Sequence, residues 1–261
     1  MNKPNLLAVC CLQLLFLIKG SAQNLVLNPS FEQCKPCGTN EIIDSVAQWQ
    51  STAGKPKFIN IKCVLTAESK TYIRGMQLPD AAEGRVYAGL GIDTEGEFLQ
   101  GFLEKPLVKN EIYWLKAKVR LPIRFCSAAI NEVGFALTEE NFTKSEDFQI
   151  LKKENTALKK ENNKLIDNKY EWVEISGFYT AKGGEKILTI GNFENNNKTI
   201  FADRKKSDCT YLYLDVVSVQ KFEEVNLEIL TEKSQIVENK QFILANIYFD
   251  EQNQLDRKSV V

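Results

Sequence analysis

The chain has 261 residues, with 33 Lys or Arg against 34 Asp or Glu, and no histidine. A net charge of −1 without a basic stripe argues against a nucleic-acid partner. The absence of histidine excludes Ser-His-Asp and Cys-His catalysis, histidine zinc sites and histidine pH switches. Only carboxylates or lysines could carry hydrolytic chemistry, so we expect a protein that is not an enzyme.

The first residues have the layout of a secretory signal peptide. Lys3 precedes an apolar run over 6–18, and two small residues follow it, Gly20 and Ala22. The run is too short to span a bilayer comfortably, so we expect cleavage after 1–22 and no transmembrane segment in the mature chain. A lipoprotein signal is the rival interpretation, because Cys10 and Cys11 lie inside the run.

Beyond the signal there are five cysteines, and in an exported chain their default role is disulfide bonding. The disulfide candidates are Cys34, Cys37, Cys63, Cys126 and Cys209. An odd number leaves at least one thiol free or paired with another chain. Cys34 and Cys37 form a C-x-x-C, but no second such pair is present for zinc. A redox role would need a βαβ context, which the sequence does not predict.

Short stretches rich in β-branched and aromatic residues recur along the mature chain, separated by turn formers. The predicted strands are 24–27, 85–92, 98–103, 112–121, 132–137, 171–180, 186–193 and 210–222. In the last of these, strict alternation would place Tyr211, Tyr213, Asp215, Val217 and Val219 on one side. Many short strands predict an all-β sandwich or barrel.

One segment departs from this pattern. Leu151, Leu158 and Leu165 recur every seven residues, with Lys and Glu dominating between them. The spacing predicts a helical insertion over about 146–167, packed on the flank of the sandwich. A coiled-coil dimerisation helix is the alternative, although two heptads are marginal for an isolated helix.

Three sequence clusters occur in the order of a known arrangement. Residues 24–32 read N-L-V-L-N-P-S-F-E, residues 183–193 read G-G-E-K-I-L-T-I-G-N-F, and residues 211–219 read Y-L-Y-L-D-V-V-S-V. The first resembles the opening strand, and the last resembles the closing strand, of the galactose-binding-like jelly roll, the fold of many carbohydrate-binding modules. The resemblance implies a jelly-roll β-sandwich over 23–222.

The order of these clusters is similar to a version found at the N-terminus of OmpA-like envelope proteins of Gram-negative bacteria. After a charged linker, 223–241, residues 246–250 (N-I-Y-F-D) resemble the first strand of an OmpA-like domain. That domain would begin within 242–261 and stop after this strand, so we expect a truncated product. The resemblance implies periplasmic or outer-membrane location, with peptidoglycan bound only through the missing C-terminal domain.

In such jelly rolls the opening Glu and the closing Asp often share a structural calcium ion, which here implies Glu32 and Asp215. Calcium prefers six to eight oxygen ligands, so two carboxylates with backbone carbonyls suit it. Val216 stands where the family has a second Asp. Alternatively, Glu32 caps a turn and Asp215 accepts backbone hydrogen bonds. No other cofactor is expected.

A sugar site needs exposed aromatic rings beside planar polar groups. Trp49 lies in a loosely patterned segment and is predicted, with Phe58 and Tyr72, to bind ligand, whereas Trp114 and Trp172 are assigned to the core. The expected function is a non-catalytic envelope module that contacts a glycan or an envelope protein. The alternatives are a structural spacer without ligand, and a carbohydrate-active enzyme with two converging acids, although nothing picks out such a pair.

Overall fold

The computed structural model describes residues 23–36, 43–64, 78–92, 97–124, 126–141, 155–193 and 209–222. All of them belong to the unit that ends at Phe222. Several predictions therefore lie outside the described residues: the signal peptide, Cys37, Tyr72, the first part of the predicted helix, the linker and the OmpA-like tail.

Ten strands lie within the described ranges, and all of their pairings are antiparallel. They are β1 (Trp49–Ala53), β2 (Lys57–Asn60), β3 (Val86–Gly91), β4 (Phe98–Phe102), β5 (Ile112–Arg120), β6 (Val133–Thr138), β7 (Asn155–Lys160), β8 (Val173–Thr180), β9 (Ile187–Gly191) and β10 (Tyr211–Lys221). Helical structure is limited there to α1 (Ile61–Val64) and two 3₁₀ turns, Ile43–Ser45 and Glu161–Asn163. The all-β prediction is confirmed. No helix in these ranges is long and apolar enough to cross a membrane.

The strands form a jelly-roll β-sandwich. One sheet has the order β1-β4-β9-β6, and the other has the order β8-β5-β10-β3-β2. Strand β7 joins them, because 155–158 pair with β6 whereas Lys159 and Lys160 pair with β8. The inner faces of both sheets contribute to one buried apolar cluster. The core therefore lies between the sheets.

The N-terminal segment ties the two sheets together. The Leu25 N–H donates to the Val219 carbonyl of β10 at 2.9 Å, and the Leu27 N–H donates to the Phe102 carbonyl of β4 at 2.9 Å. The Asn24 side chain donates to the Val217 carbonyl and accepts from the Val219 N–H. The predicted first strand is thus a short extended bridge between the sheets.

The helix predicted over 146–167 is wrong for the residues that the structure describes there. Asn155–Lys160 is strand β7, followed by the 3₁₀ turn. Leu158 is fully buried and pairs with Val133 of β6. Burying this side chain and satisfying the edges of β6 and β8 outweigh a local helix preference of a few tenths of a kcal/mol per residue.

The alternation predicted for the closing strand holds only for its first half. Leu212 and Leu214 face the core, but the register then shifts between Asp215 and Ser218, with Val216 at φ +51°. This β-bulge adds one residue and reverses the facing of everything after it. Val217 and Val219 consequently join Leu212 and Leu214 in the core rather than lying opposite them.

Candidate binding face

In the sheet β8-β5-β10-β3-β2, the side chains that point away from the core lie on its outer side. We call this side the outer face. On β5 the core residues alternate with outward ones, which are Trp114, Lys116, Lys118 and Arg120. Cross-strand pairing places the first three of these between a residue of β8 and a residue of β10, and Arg120 beside Tyr213 of β10. The resulting rows are Phe178–Trp114–Gln220, Ser176–Lys116–Ser218 and Glu174–Lys118–Asp215.

Three aromatic side chains at one end of the outer face form what we call the Phe178 cluster: Trp114, Phe178 and Phe222. The rings of Trp114 and Phe178 have centroids 6.2 Å apart and planes at 18°. Phe222 meets Phe178 edge-on at 5.2 Å. Phe178 is 43% exposed, although it lies on a regular strand. An exposed ring held rigidly on a sheet costs little conformational entropy to use in binding.

A second group, the tyrosine cluster, lies further along the same face and comprises Tyr87, Tyr211, Tyr213 and Trp172. Tyr87 contacts Trp172 at 5.5 Å and Tyr213 at 5.2 Å, both edge-on. The Trp172 indole N–H donates to the Asp80 carbonyl at 2.9 Å, so the segment before β3 lies against this cluster. Tyr87 is fully buried, in contrast to Phe178.

Glycine lets Tyr211 lie flat on the sheet. A Cβ added to Gly89 would stand 2.6 Å from the Tyr211 hydroxyl oxygen, which is closer than a side chain tolerates. Gly89 therefore marks a point of close packing on the sheet.

Hydrogen-bonding groups on the outer face are left without partners. The indole Nε1 of Trp114, the Oγ of Ser218 and the hydroxyl of Tyr87 are buried and have no hydrogen-bond partner in the part of the chain that the structure describes. Buried polar groups in native proteins are nearly always satisfied by protein, ordered water or ligand. Polar atoms without a hydrogen-bond partner therefore lie on the same face as the exposed ring of Phe178.

Two of the three residues that the sequence selected for ligand binding, Trp49 and Phe58, do not lie on the outer face; the third, Tyr72, lies outside the described residues. Trp49 and Phe58 are each 3% exposed and belong to the core. Trp49 packs on Phe31 at 4.7 Å, and its indole N–H donates to the Asn28 carbonyl. A ring enclosed in this way has no face for a sugar to stack on.

Trp114, which the sequence analysis assigned to the core, lies on the outer face instead. The signal for this was present in the sequence: its neighbours Tyr113 and Leu115 have the facing of the core residues, so strict alternation turns Trp114 outward. Trp172 stands just before β8 and is half-buried rather than enclosed.

Glu32 and Asp215 are brought to the same region, as the resemblance implied, and both accept backbone hydrogen bonds. Glu32 Oε1 accepts from the N–H groups of Arg85 and Val86 at 2.7 and 2.8 Å. Asp215 Oδ2 accepts from Ala82 and Glu83 at 2.8 and 3.0 Å, and its Oδ1 accepts from Val216 at 2.8 Å. The two carboxylates therefore hold 82–86 against β10 and the opening segment.

The donor set suits calcium only in part. Two carboxylates are present, and burial together with the nearby Glu32 raises the pKa of Asp215 to about 7, against the opposing effect of its backbone hydrogen bonds. A cation would relieve this repulsion. However, five N–H groups already occupy these oxygens, and no group of three or more acidic, Cys or His side chains that could hold a metal occurs among the described residues. In this structure the Glu32 and Asp215 carboxylates are therefore acceptors of backbone hydrogen bonds.

A perturbed carboxyl is a usual sign of an active site, but the buried acids here are fixed by hydrogen bonds. Asp215 is fully buried. Glu185 is 3% exposed and accepts from the Tyr179 hydroxyl at 2.6 Å and from the Lys182 and Gly183 N–H groups. Burial raises the pKa of Glu185, but the hydrogen bonds together lower it by more, so this pKa lies below the usual range. Each carboxylate thus holds backbone N–H groups in place through hydrogen bonds.

Cysteine chemistry is settled for part of the candidate set. Cys126 and Cys209 form a disulfide, and Cys63 is also disulfide-bonded. Cys34 is a free, half-buried thiol whose pKa is raised by burial, and its Sγ accepts a weak hydrogen bond from Asn60 at 3.8 Å. The described part of the chain therefore contains both bonded and free cysteines, as an odd number requires.

No protein-family model and no curated protein sequence matches the chain. Among solved structures, it is similar to the CBM22-1 xylan-binding domain of Xyn10C from Paenibacillus barcinonensis, at 12% identity and TM-score 0.41, covering 78% of this chain and 99% of that one. It is also similar to the K1 cleaved adhesin domain of Lys-gingipain from Porphyromonas gingivalis, at 12% identity and TM-score 0.37, covering 77% and 99%. A putative sugar-binding protein from Bacteroides thetaiotaomicron shares 10% identity with TM-score 0.36, covering 77% and 100%.

Proposed function

We propose that this chain is a non-catalytic module of the bacterial cell envelope that binds a glycan on its outer face, at the Phe178 cluster. The observation that carries the proposal is an exposed ring, Phe178, on a rigid sheet beside two unsatisfied polar atoms, Trp114 Nε1 and Ser218 Oγ. Sugars present apolar C–H faces and many hydroxyl groups. A ring with adjacent hydrogen-bonding groups complements both features.

The neighbouring side chains extend this polar surface. Gln220 is the cross-strand partner of Trp114, and Ser176 and Ser218 flank Lys116. Amide and hydroxyl groups can each donate and accept, as recognition of sugar hydroxyls requires. A structural spacer would have no use for an exposed phenylalanine with orphaned polar neighbours, and the fixed carboxylates of Asp215 and Glu185 favour binding over hydrolysis.

The test is binding of the full mature chain to soluble polysaccharides, neutral xylan and galactan and acidic polygalacturonate, by affinity electrophoresis and calorimetry. Replacing Phe178 with alanine removes the stacking platform, worth about 1–1.5 kcal/mol, so we expect affinity to fall about tenfold. The Trp114→Ala variant should also weaken binding, because it removes the ring that stacks on Phe178.

Tyr170 provides the matched control. It is 75% exposed and lies outside both aromatic clusters, so Tyr170→Ala should bind like the parent chain. Equal affinities of Phe178→Ala and the parent would show that the outer face is not the binding surface. The absence of binding to every polysaccharide tested would favour the spacer, or contact with an envelope protein.

Export to the periplasm or outer membrane forms part of the proposal. It is supported by the apolar run at 6–18 and by the Cys126–Cys209 disulfide, since such bonds persist in oxidising compartments. Attachment to the cell wall through the OmpA-like segment rests on 246–250 alone. The protein recovered from its own cells should begin at Gln23 or Asn24; an intact Met1 would contradict export.

A further inference from the structure

Three basic side chains form a column along the outer face. Lys116, Lys118 and Arg120 occupy alternate positions of β5, and the residues between them, Ala117 and Val119, are buried in the core. Alternate residues of a strand point to the same side and lie about 6.7 Å apart. The three cations therefore span about 13 Å in a line on one face.

No carboxylate neutralises this column in the part of the chain that the structure describes. Lys116 places its Nζ 4.0 Å from the Trp114 ring centroid, and Arg120 donates through Nε to the Lys169 carbonyl at 3.0 Å. Elsewhere on the surface lysines do find acids: Lys221 pairs with Glu111 at 2.6 Å, and Lys160 pairs with Asp167 at 3.2 Å. The column differs in this respect from Lys160 and Lys221.

The cross-strand neighbours do not supply the missing charge. Lys118 lies between Glu174 and Asp215 in the sheet, yet forms an ion pair with neither. The Asp215 oxygens accept three backbone N–H groups instead. Lys116 and Lys118 are left with their charge available to a ligand, although the whole chain carries a net charge of only −1.

The column connects the two aromatic clusters. Lys116 follows Trp114 of the Phe178 cluster at the next outward position of β5 and pairs across the sheet with Ser218, whose Oγ is an orphaned polar atom. At the other end, Arg120 pairs with Tyr213 of the tyrosine cluster. Positive charge, hydroxyl groups and exposed aromatic surface therefore follow one path along the face.

We propose that the ligand of the outer face is an anionic glycan, whose carboxylate or sulfate groups bind Lys116, Lys118 and Arg120 while a sugar ring stacks at Phe178. This assignment of ligand class rests on the proposed function. The charge column selects an acidic polymer because a neutral sugar would leave three cations uncompensated on the surface it covers.

The experiment compares polymers that share a backbone and differ in charge. The full mature chain is titrated with polygalacturonate and with its fully methyl-esterified form, and with chondroitin sulfate and its desulfated, methyl-esterified form, so that one member of each pair is neutral. We expect the acidic member of at least one pair to bind at least tenfold more tightly. The advantage should shrink at 1 M salt, where the screening length falls to about 3 Å.

The decisive variant is the double substitution Lys116→Gln and Lys118→Gln. Two exposed charge contacts at about 4 Å correspond to about a tenfold or greater loss of affinity for the acidic polymer, with no loss for its neutral counterpart. Lys186→Gln is the matched control, since Lys186 is exposed and precedes β9 of the other sheet. Urea unfolding of each variant separates a binding defect from a folding defect.

Equal affinity for the charged and neutral members of both pairs would overturn the anionic ligand while leaving glycan binding intact. Failure of every polymer to bind would instead remove the proposed function, and this assignment with it. DNA and anionic lipid vesicles form the remaining arms. If either binds as tightly as the acidic polymers, with the same loss in the double variant, the glycan class is wrong.

Discussion

Replacing Asp215 with alanine is expected to lower the free energy of unfolding by about 4 kcal/mol. The side chain is fully buried, and its oxygens accept the N–H groups of Ala82, Glu83 and Val216. Removing it leaves these donors without an acceptor, and each unsatisfied buried donor costs about 1–3 kcal/mol. Urea denaturation at fixed pH measures the change. The control is Asp167→Ala, an exposed ion-pair partner of Lys160 worth less than about 1 kcal/mol.

The same carboxyl group should give stability a distinctive pH dependence. Burial and the proximity of Glu32 raise the pKa of Asp215 in the folded state to about 7, above that of an unfolded aspartate. The folded state then binds more protons than the unfolded state between about pH 4 and 7, so this group's contribution declines as the pH rises through that window. In EDTA, the stability difference between the parent chain and Asp215→Ala should narrow from pH 4 to pH 7. A constant difference would contradict the raised pKa.

Calcium is tested with the same two proteins. If Glu32 and Asp215 hold the ion, added calcium should raise the melting temperature of the parent chain, and chelation should reverse the rise, because a ligand of the folded state alone stabilises it. Asp215→Ala should show neither effect. An unchanged melting temperature in both proteins would show that Glu32 and Asp215 do not bind calcium and act only as hydrogen-bond acceptors.

Removing the disulfide between Cys126 and Cys209 is expected to cost about 4 kcal/mol. The two residues are separated by 83 positions, and the entropic benefit of a cross-link grows with the loop that it closes. The bond also secures the entry to β10, where the Tyr211 N–H donates to the Cys126 carbonyl and Ser127 pairs with Thr210. Urea unfolding of the double Cys126→Ser, Cys209→Ser variant measures the loss.

Cys34→Ser supplies the comparison for the disulfide. Cys34 is a free thiol with one weak hydrogen bond, so its replacement should change the free energy of unfolding by less than about 1 kcal/mol. A reducing agent should destabilise the parent chain by more than it destabilises the double serine variant, which retains the disulfide of Cys63. Unfolding of the double variant at the same urea concentration as the parent would show that the cross-link adds no stability.

The class of the fold could be read from the sequence because the pattern is local. Strand β5 alternates Tyr113, Leu115, Ala117 and Val119 with polar or amphipathic residues, and this period of two specifies both a strand and its buried side. The turn formers between such stretches then predict a sandwich. For the candidate site, the same alternation places Trp114 and three basic residues on the outward side, although we assigned Trp114 to the core from its residue type.

Contacts between distant segments determined the features of the fold that the local pattern does not predict. The heptad of leucines at 151, 158 and 165 predicts a helix, yet Leu158 lies in strand β7 because β6 and β8 both need a partner there. The bulge at Val216 cannot be seen in the alternation of β10, and it places Val217 and Val219 in the core. Trp49 looked available in a loose segment, but Phe31 and Gly101 enclose it.

By itself, the sequence determined the β-sandwich class and the period of two along β5, because both follow from residue type and spacing along the chain. The candidate pairing of Glu32 with Asp215 was implied by the family resemblance. Only the tertiary structure decided which aromatic rings are exposed and which charges are left without a partner. Burial and neutralisation depend on residues far away in sequence: Phe178 and Gln220, which flank Trp114, lie 64 and 106 positions after it. The outer face is assembled by strand pairing, so its composition could be determined only from the folded structure.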